Sequence, residues 1–256
     1  MAGTKRNQNN VGERGLAMNH ATMRHTGWVL LVAALLLLSA PPARAADSTE
    51  AEELVNQARL SFESLVRDPN MTWLRDHIKD AKGILIVPQL LKAAFFFGGS
   101  GGSGVFLARD EKTGEWSDPA FYTLGSGSFG LQFGAEASEV VLLAMTQRGV
   151  KAMLDSNFKL GVGASIAAGP IGGGVEGATA NLSADILSFA RSKGAFVGVS
   201  LEGAVVATRD ELSSAYYGKE VQAMDILVKR DVHNSHAAAL RAAVGKAARG
   251  SATPDK

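Results

Sequence analysis

Gly98-x-Ser100-x-Gly102 is the first pattern in this sequence whose residue types could do chemistry. In hydrolases such a pattern is a nucleophile elbow, a serine on a sharp strand-to-helix turn that is activated by a histidine from elsewhere in the chain. Beyond residue 45 the chain offers only His77, His233 and His236, none in a neighbourhood that suggests a triad, and no helical pattern follows Ser100. A bulged glycine–serine segment is the favoured reading, and a serine hydrolase acting through Ser100 is a remote alternative. Three further stretches, Gly99-x-Gly101-x-x-Gly104, Gly125-x-Gly127-x-x-Gly130 and Gly172-x-Gly174-x-x-Gly177, fit a dinucleotide fingerprint. That fingerprint must close a strand and open a helix. The first two lie between strand-like runs, and three matches in one glycine-rich chain argue for composition rather than a nucleotide site. His233 and His236 stand three apart, as two metal ligands on one helix face would, but only Asp231 lies nearby as a third. No cofactor, no metal and no catalytic residue is expected.

A second set of residues suits a surface rather than a reaction. Lys82 and Lys92 bracket the apolar Ile84–Val87 run, read as a strand that ends at its proline exit, and Lys92 is followed by Phe95-Phe96-Phe97. Arg191 and Lys193 sit in a second basic turn ahead of the apolar stretch Ala195–Leu201. Aromatic rings beside lysines fit a membrane interface. Lys82, Lys92, Phe95, Phe97, Arg191 and Lys193 are therefore the candidate lipid-binding residues, against the plainer reading of buried rings and solvated loops.

The elements that must position these residues fall into three zones. Ser48 to Asp80 reads as helix: Thr49 and Glu52 fit a capping box, Leu54, Val55, Ala58, Phe62, Leu65 and Val66 recur at helical spacing, and Asp68-Pro69-Asn70 stops the run. A second short helix carries Trp73, Leu74, His77 and Ile78. Lys82 to Thr208 holds 22 of the 29 glycines and most of the strand-like runs. Asp110 to Gly114 reads as a hairpin loop there, and Thr146 to Leu154 as a helix. Glycine at this density marks bulges, bends and close backbone packing. The expected fold is α+β, a glycine-rich, bent antiparallel sheet or small barrel flanked by N- and C-terminal helices. From Arg209 onward the chain returns to helix, with Val221 to Lys229 as a short one, and its alanine-rich basic end reads as a frayed tail.

The 256 residues contain 46% hydrophobic side chains and no cysteine, which excludes a mainly disordered chain, disulfides, thiolate metal sites and a lipid-modified cysteine. Residues 1–45 carry five basic groups and one acid, and residues 46–256 carry 21 and 24, a net of −3. A body without basic excess is not a generic nucleic-acid binder. The basic leader precedes the uncharged Trp28–Ala40 run and Ala43-Arg44-Ala45, the pattern of a secretory signal peptide cleaved after Ala45. Met18 and Met23 are alternative starts, and an uncleaved anchor is the rival reading.

In order and spacing, several stretches resemble the SYLF domain, also called the Ysc84 actin-binding domain. They are Ala81 to Pro88 with the glycine run to Gly104, Phe121-Tyr122, Gln132 to Glu136, Glu139 to Leu142, Ala167 to Gly172, Ser188 to Phe196, Gly198 to Gly203 and Tyr216-Tyr217-Gly218. The resemblance covers about Glu50 to Val228. It implies binding rather than catalysis, with phosphoinositide-containing membranes and actin filaments as the associations of eukaryotic members, and export, often as lipoproteins, for bacterial ones. The missing lipobox cysteine departs from that last pattern. The resulting expectation is a signal peptide over 1–45, N-terminal helices over 46–80, a SYLF-like core over 81–230 and a flexible basic tail over 231–256. The protein is expected to be exported, periplasmic or secreted and peripheral to a membrane. It would be non-enzymatic, with an anionic lipid or phospholipid surface as partner. An envelope structural or protein-interaction module is the alternative.

Overall fold

The computed structural model describes residues 43–94, 97–129, 134–169, 183–192 and 201–250. Residues 1–42, Phe95, Lys193 and Gly172 lie outside the described residues, and so do the side chain of Phe97 and the end of the chain from residue 251.

Helix α1 spans Ala43–Arg67, so it starts ahead of the capping box expected at Thr49. Ala51, Leu54, Val55, Ala58, Phe62 and Leu65 form its buried stripe. Its stop is where the sequence places it: Asp68 caps the turn Pro69–Met71 by accepting from the Asn70 amide at 2.9 Å. Helix α2, Thr72–Ile78, follows directly.

Eight strands come next: β1 (Gly83–Ala94), β2 (Phe97–Ala108), β3 (Ala120–Phe129), β4 (Gly134–Ala144), β5 (Asn157–Lys159), β6 (Ile166–Ala168), β7 (Ile186–Ser192) and β8 (Val205–Thr208). They form one curled, open sheet in the order β5-β8-β3-β2-β1-β4-β7-β6. All neighbours are antiparallel except β6 and β7, which run parallel. The expected antiparallel architecture therefore holds except at one edge. The hairpin loop is built by Asp110, whose Oδ1 accepts from the amides of Lys112 and Thr113 at 2.8 Å each, and by Gly114 at φ +74. Helix α3 (Gln147–Leu154) begins at Thr146, whose hydroxyl accepts from the Gly149 amide. Helix α4 is Asp210–Tyr217 and ends on left-handed Gly218. The short helix expected over Val221–Lys229 is a π-helical turn, Asp225–Lys229.

Both faces of the sheet are covered, which is why Ile84, Leu85, Ile86 and Val87 are all buried despite alternating direction. Ile84, Ile86, Val105, Leu107, Phe121, Val141 and Phe189 face α1 and α2. Leu85, Val87, Phe106, Tyr122, Val140 and Leu142 face α3, the β5 and β8 edge and the π-helical turn.

Two expectations change. Pro88 is not the end of a strand. The β1 register slips between Ile86 and Leu91, and the strand resumes to Ala94, so Pro88 occupies a bulge where its missing N–H breaks no ladder bond. Residues 231–250 are not a frayed tail either. Ala238–Ala248 is helix α5, and its Leu240 and Val244 are fully buried in the cluster that also holds Leu74 and Trp116. Alanine-rich composition hid this, because only two large apolar residues mark the buried face.

Candidate functional site

Where β1 bulges, α1 stands clear of the sheet and leaves a groove of about 610 Å³. Its walls are Gln57, Leu60 and Ser61 from α1, the bulge residues Pro88 and Gln89, Ala137 to Glu139 of β4, and Arg191 and Ser192 of β7. Pairing of Arg191 with Glu139 across the two strands puts their side chains on one face, the face that α1 covers. Arg191 donates to Glu139 through Nε at 2.8 Å and through Nη2, to Asp68 at 3.0 Å and to the Ser64 hydroxyl at 2.7 Å. Its guanidinium thus ties β7 and β4 to the end of α1. Burial pushes the Asp68 carboxyl up, but the Asn70 amide and the Arg191 guanidinium outweigh it and hold the group below the usual carboxylate range. Burial likewise works against the Arg191 charge, and Glu139 and Asp68 more than compensate.

Apolar surface from residues such as Leu60, Pro88 and Ala137 makes up the larger part of the groove lining, and its uncharged polar groups are hydroxyls and amides. Ser138 and Ser192 meet at 3.1 Å on the opposite face, with Glu136 accepting from Ser192. Ser61 is 6% exposed, and its hydroxyl has no partner among the described residues. At the lip, Leu60 and Leu91 are 55% and 54% exposed, unusual for leucine, and Leu91 is the cross-strand partner of the groove residue Ala137.

Lys92 is exposed next to Leu91, opposite Glu136 in the β1–β4 register. Strand alternation places Lys92 and Arg191 at the same end of the sheet but on opposite faces. Lys82 precedes β1 at its other end, roughly 30 Å away along the strand, and pairs with Glu111 at 2.9 Å. The structure thus brings Lys92 and Arg191 to one end and leaves Lys82 at the other. Ser100 lies inside β2 with its hydroxyl 2.8 Å from that of Ser126, and no turn or helix follows it. The first glycine pattern likewise runs inside β2, and Gly125 and Gly127 of the second lie in β3; Gly130 and the third pattern lie outside the described residues. His77 bonds to the Trp73 carbonyl, His233 to Asp118, and His236 to Asn56 and Tyr216. His236 is thus half-buried, while His233 is exposed and tied to the buried Asp118. Among the described residues no three ligating side chains group closely enough to hold a metal ion.

Sequence reasoning missed Leu60, Ser61 and the groove itself. The available signal was Pro88-Gln89 interrupting a run that regains strand character at Leu90, which is how a bulge reads in sequence.

Residues 125–247 match the family model described as Ysc84, Las17-binding protein actin regulator. Over that span, just under half of its length, the chain carries a Ysc84, or SYLF, domain. The match runs from the middle of β3 through most of α5, so the last helix is part of the domain. Among similar proteins is LAS seventeen-binding protein 3 of Saccharomyces cerevisiae, 37% identical over 159 residues, or 60% of this chain and 34% of that protein. The SH3 domain-containing YSC84-like protein 1 of Homo sapiens is 36% identical over 152 residues, or 59% of this chain and 44% of that protein. Protein YSC84 of Saccharomyces cerevisiae is 35% identical over 158 residues, 60% of this chain and 33% of the relative. The aligned segment thus spans between a third and under half of these curated relatives.

Proposed function

We propose that this Ysc84 domain is a non-enzymatic binding module that attaches to a lipid surface through the sheet end bearing the groove. The observation that carries the reading is the pair of exposed leucines, Leu60 and Leu91, at the lip of the groove, at the sheet end that also bears the exposed Lys92 on its other face. Apolar side chains that enter the headgroup region next to a cation are how peripheral proteins hold a membrane. Lys92 contributes about 1 kcal/mol near an anionic leaflet. Inside the groove, Arg191 is matched by Asp68 and Glu139, so contacts there are hydrogen bonds from Gln57, Ser61 and Gln89 to a polar headgroup.

Co-sedimentation with phosphatidylcholine vesicles, with and without anionic lipid, tests this. Leu60→Asp with Leu91→Asp should abolish most binding. Lys92→Glu should remove the anionic preference, and the wild-type preference should fade with salt. Equal sedimentation of wild type and the leucine variant, with unchanged circular dichroism, overturns the reading. The names of the relatives support a second reading, a protein partner. It requires a stable complex indifferent to vesicle composition.

The Trp28–Ala40 run motivates the companion proposal that the protein is exported. N-terminal sequencing from an exporting host should find Ala46 first; an intact leader on a cytoplasmic product overturns it.

A further inference from the structure

A second cleft, of about 650 Å³, lies between the 113–116 loop and α5. Arg109, Arg241, Arg249, His233, Trp116 and Glu115 line it. This collects three guanidiniums on a body whose net charge from residue 46 onward is −3. Arg241 is partly spoken for: its Nη1 lies 3.4 Å from Asp118 Oδ2, which also meets His233 Nδ1 at 2.9 Å. Among the described residues its buried Nε has no hydrogen-bond partner, and neither has Asp118 Oδ1. Arg109 spends its donors on neutral acceptors, the carbonyls of Gly114 at 3.2 Å and Lys79 at 2.7 Å. Among the described residues no carboxylate forms an ion pair with Arg109 or Arg249.

Both of these guanidiniums lie beside glycines. A Cβ on Gly245 would stand 3.4 Å from Arg249 Nη1 and 3.7 Å from Trp116 Cδ1. A Cβ on Gly114 would stand 3.6 Å from Arg109 Nη2. Two arginines are thus laid along the cleft without an ion-paired carboxylate among the described residues, while the third, Arg241, is engaged by Asp118. Glu115 is the opposing charge at the exposed wall.

We propose that this cleft binds a phosphate monoester group. Two unneutralised guanidiniums match a dianion, which a phosphate monoester is near neutral pH because its second pKa is about 6. A carboxylate offers only one charge. Arginine forks also fit phosphate oxygens bidentately. The site is separate from the groove at the β1 bulge and does not depend on the lipid reading. The group is carried by a soluble molecule or by a lipid headgroup, and the experiment separates the two.

Isothermal titration of the full chain with glycerol 3-phosphate, and with glycerol and acetate as controls, reads the soluble arm. Vesicles of phosphatidylcholine with and without phosphatidic acid read the headgroup arm. Arg249→Gln, at an exposed position, should weaken whichever binding is seen about tenfold, the scale of one charge-assisted hydrogen bond. Arg249 also suits the carbonyl end of α5, but that role would lower the melting temperature and leave phosphate affinity unchanged. Binding of glycerol 3-phosphate, or of phosphatidic acid alone, that falls in the variant upholds the site and names the source. Equal binding by wild type and variant, acetate binding as tightly as phosphate, or no binding in either arm overturns it.

Discussion

Asp185 shows how one buried carboxylate organises three elements. Only 5% exposed, it accepts from the Thr146 hydroxyl at 2.6 Å and from the amide and hydroxyl of Ser165 at 2.9 Å each, which joins the start of α3 to the approaches of β6 and β7. The Thr146 hydroxyl and the Ser165 amide hold its carboxyl below the usual range, against the effect of burial. A depressed folded-state pKa stabilises the fold above the unfolded value, about 3.9, and the stabilisation is lost as pH falls from there through the lower folded value. Asp185→Asn should therefore lose about 2 kcal/mol at neutral pH, the scale of hydrogen bonds to a charged group. Its stability should also decline less steeply in acid. Urea midpoints from neutral to acid pH check both; parallel curves for variant and wild type would place the acid sensitivity elsewhere, with Asp68 next in line.

The β1 bulge and the glycines of β2 are one device at the scale of elements. With Pro88 and Gln89 in the bulge, the carbonyls of Ile86 and Gln89 press on β2. A Cβ on Gly104 would come 2.5 Å from the Ile86 oxygen, and one on Gly102 would come 2.3 Å from the Gln89 oxygen. Neither contact can be relieved by a side-chain rotation, since both are with backbone. A Cβ on Gly101 would meet nothing within 4 Å among the described residues. Thermal melts should accordingly separate neighbours in one strand: Gly104→Ala should cost about 1–3 kcal/mol, as overpacking does. Gly101→Ala should be neutral or slightly stabilising through the stiffer unfolded chain. The groove depends on the same bulge, so Gly104→Ala should also perturb vesicle binding.

At the scale of the whole domain, the ends of the described chain close one side of the sheet. α1 and α5 share a cluster with Ile84, Val105 and Phe121, and cross-chain contacts pin them: Arg209 to Glu50 at 2.8 Å, and Asn56 to His236 at 3.2 Å. Removal of α5 would uncover Leu74 and Trp116. Leu240→Ala should destabilise the domain by about 2–5 kcal/mol, the range for a fully buried leucine. The check is chemical unfolding of the full chain; a change within error would mean that α5 is attached without contributing to the core.

The sequence by itself determined the features whose causes lie within a few residues. Thr146 caps α3, Asp68-Pro69 ends α1, Asp110 and Gly114 shape a turn, and apolar runs become strands, because each depends on a local hydrogen bond or a fixed dihedral. The family likeness was also legible, since it rests on ordered short stretches. What only the tertiary structure decided were matters of register and partnership. Nothing local says that β1 continues past its proline, that Arg191 meets Asp68 across more than a hundred residues, or that Lys82 and Lys92 stand at opposite ends of one strand. The alanine-rich C-terminal segment has so few large apolar residues that its burial is visible only once the surface it covers, Leu74 and Trp116, has been assembled from distant parts of the chain.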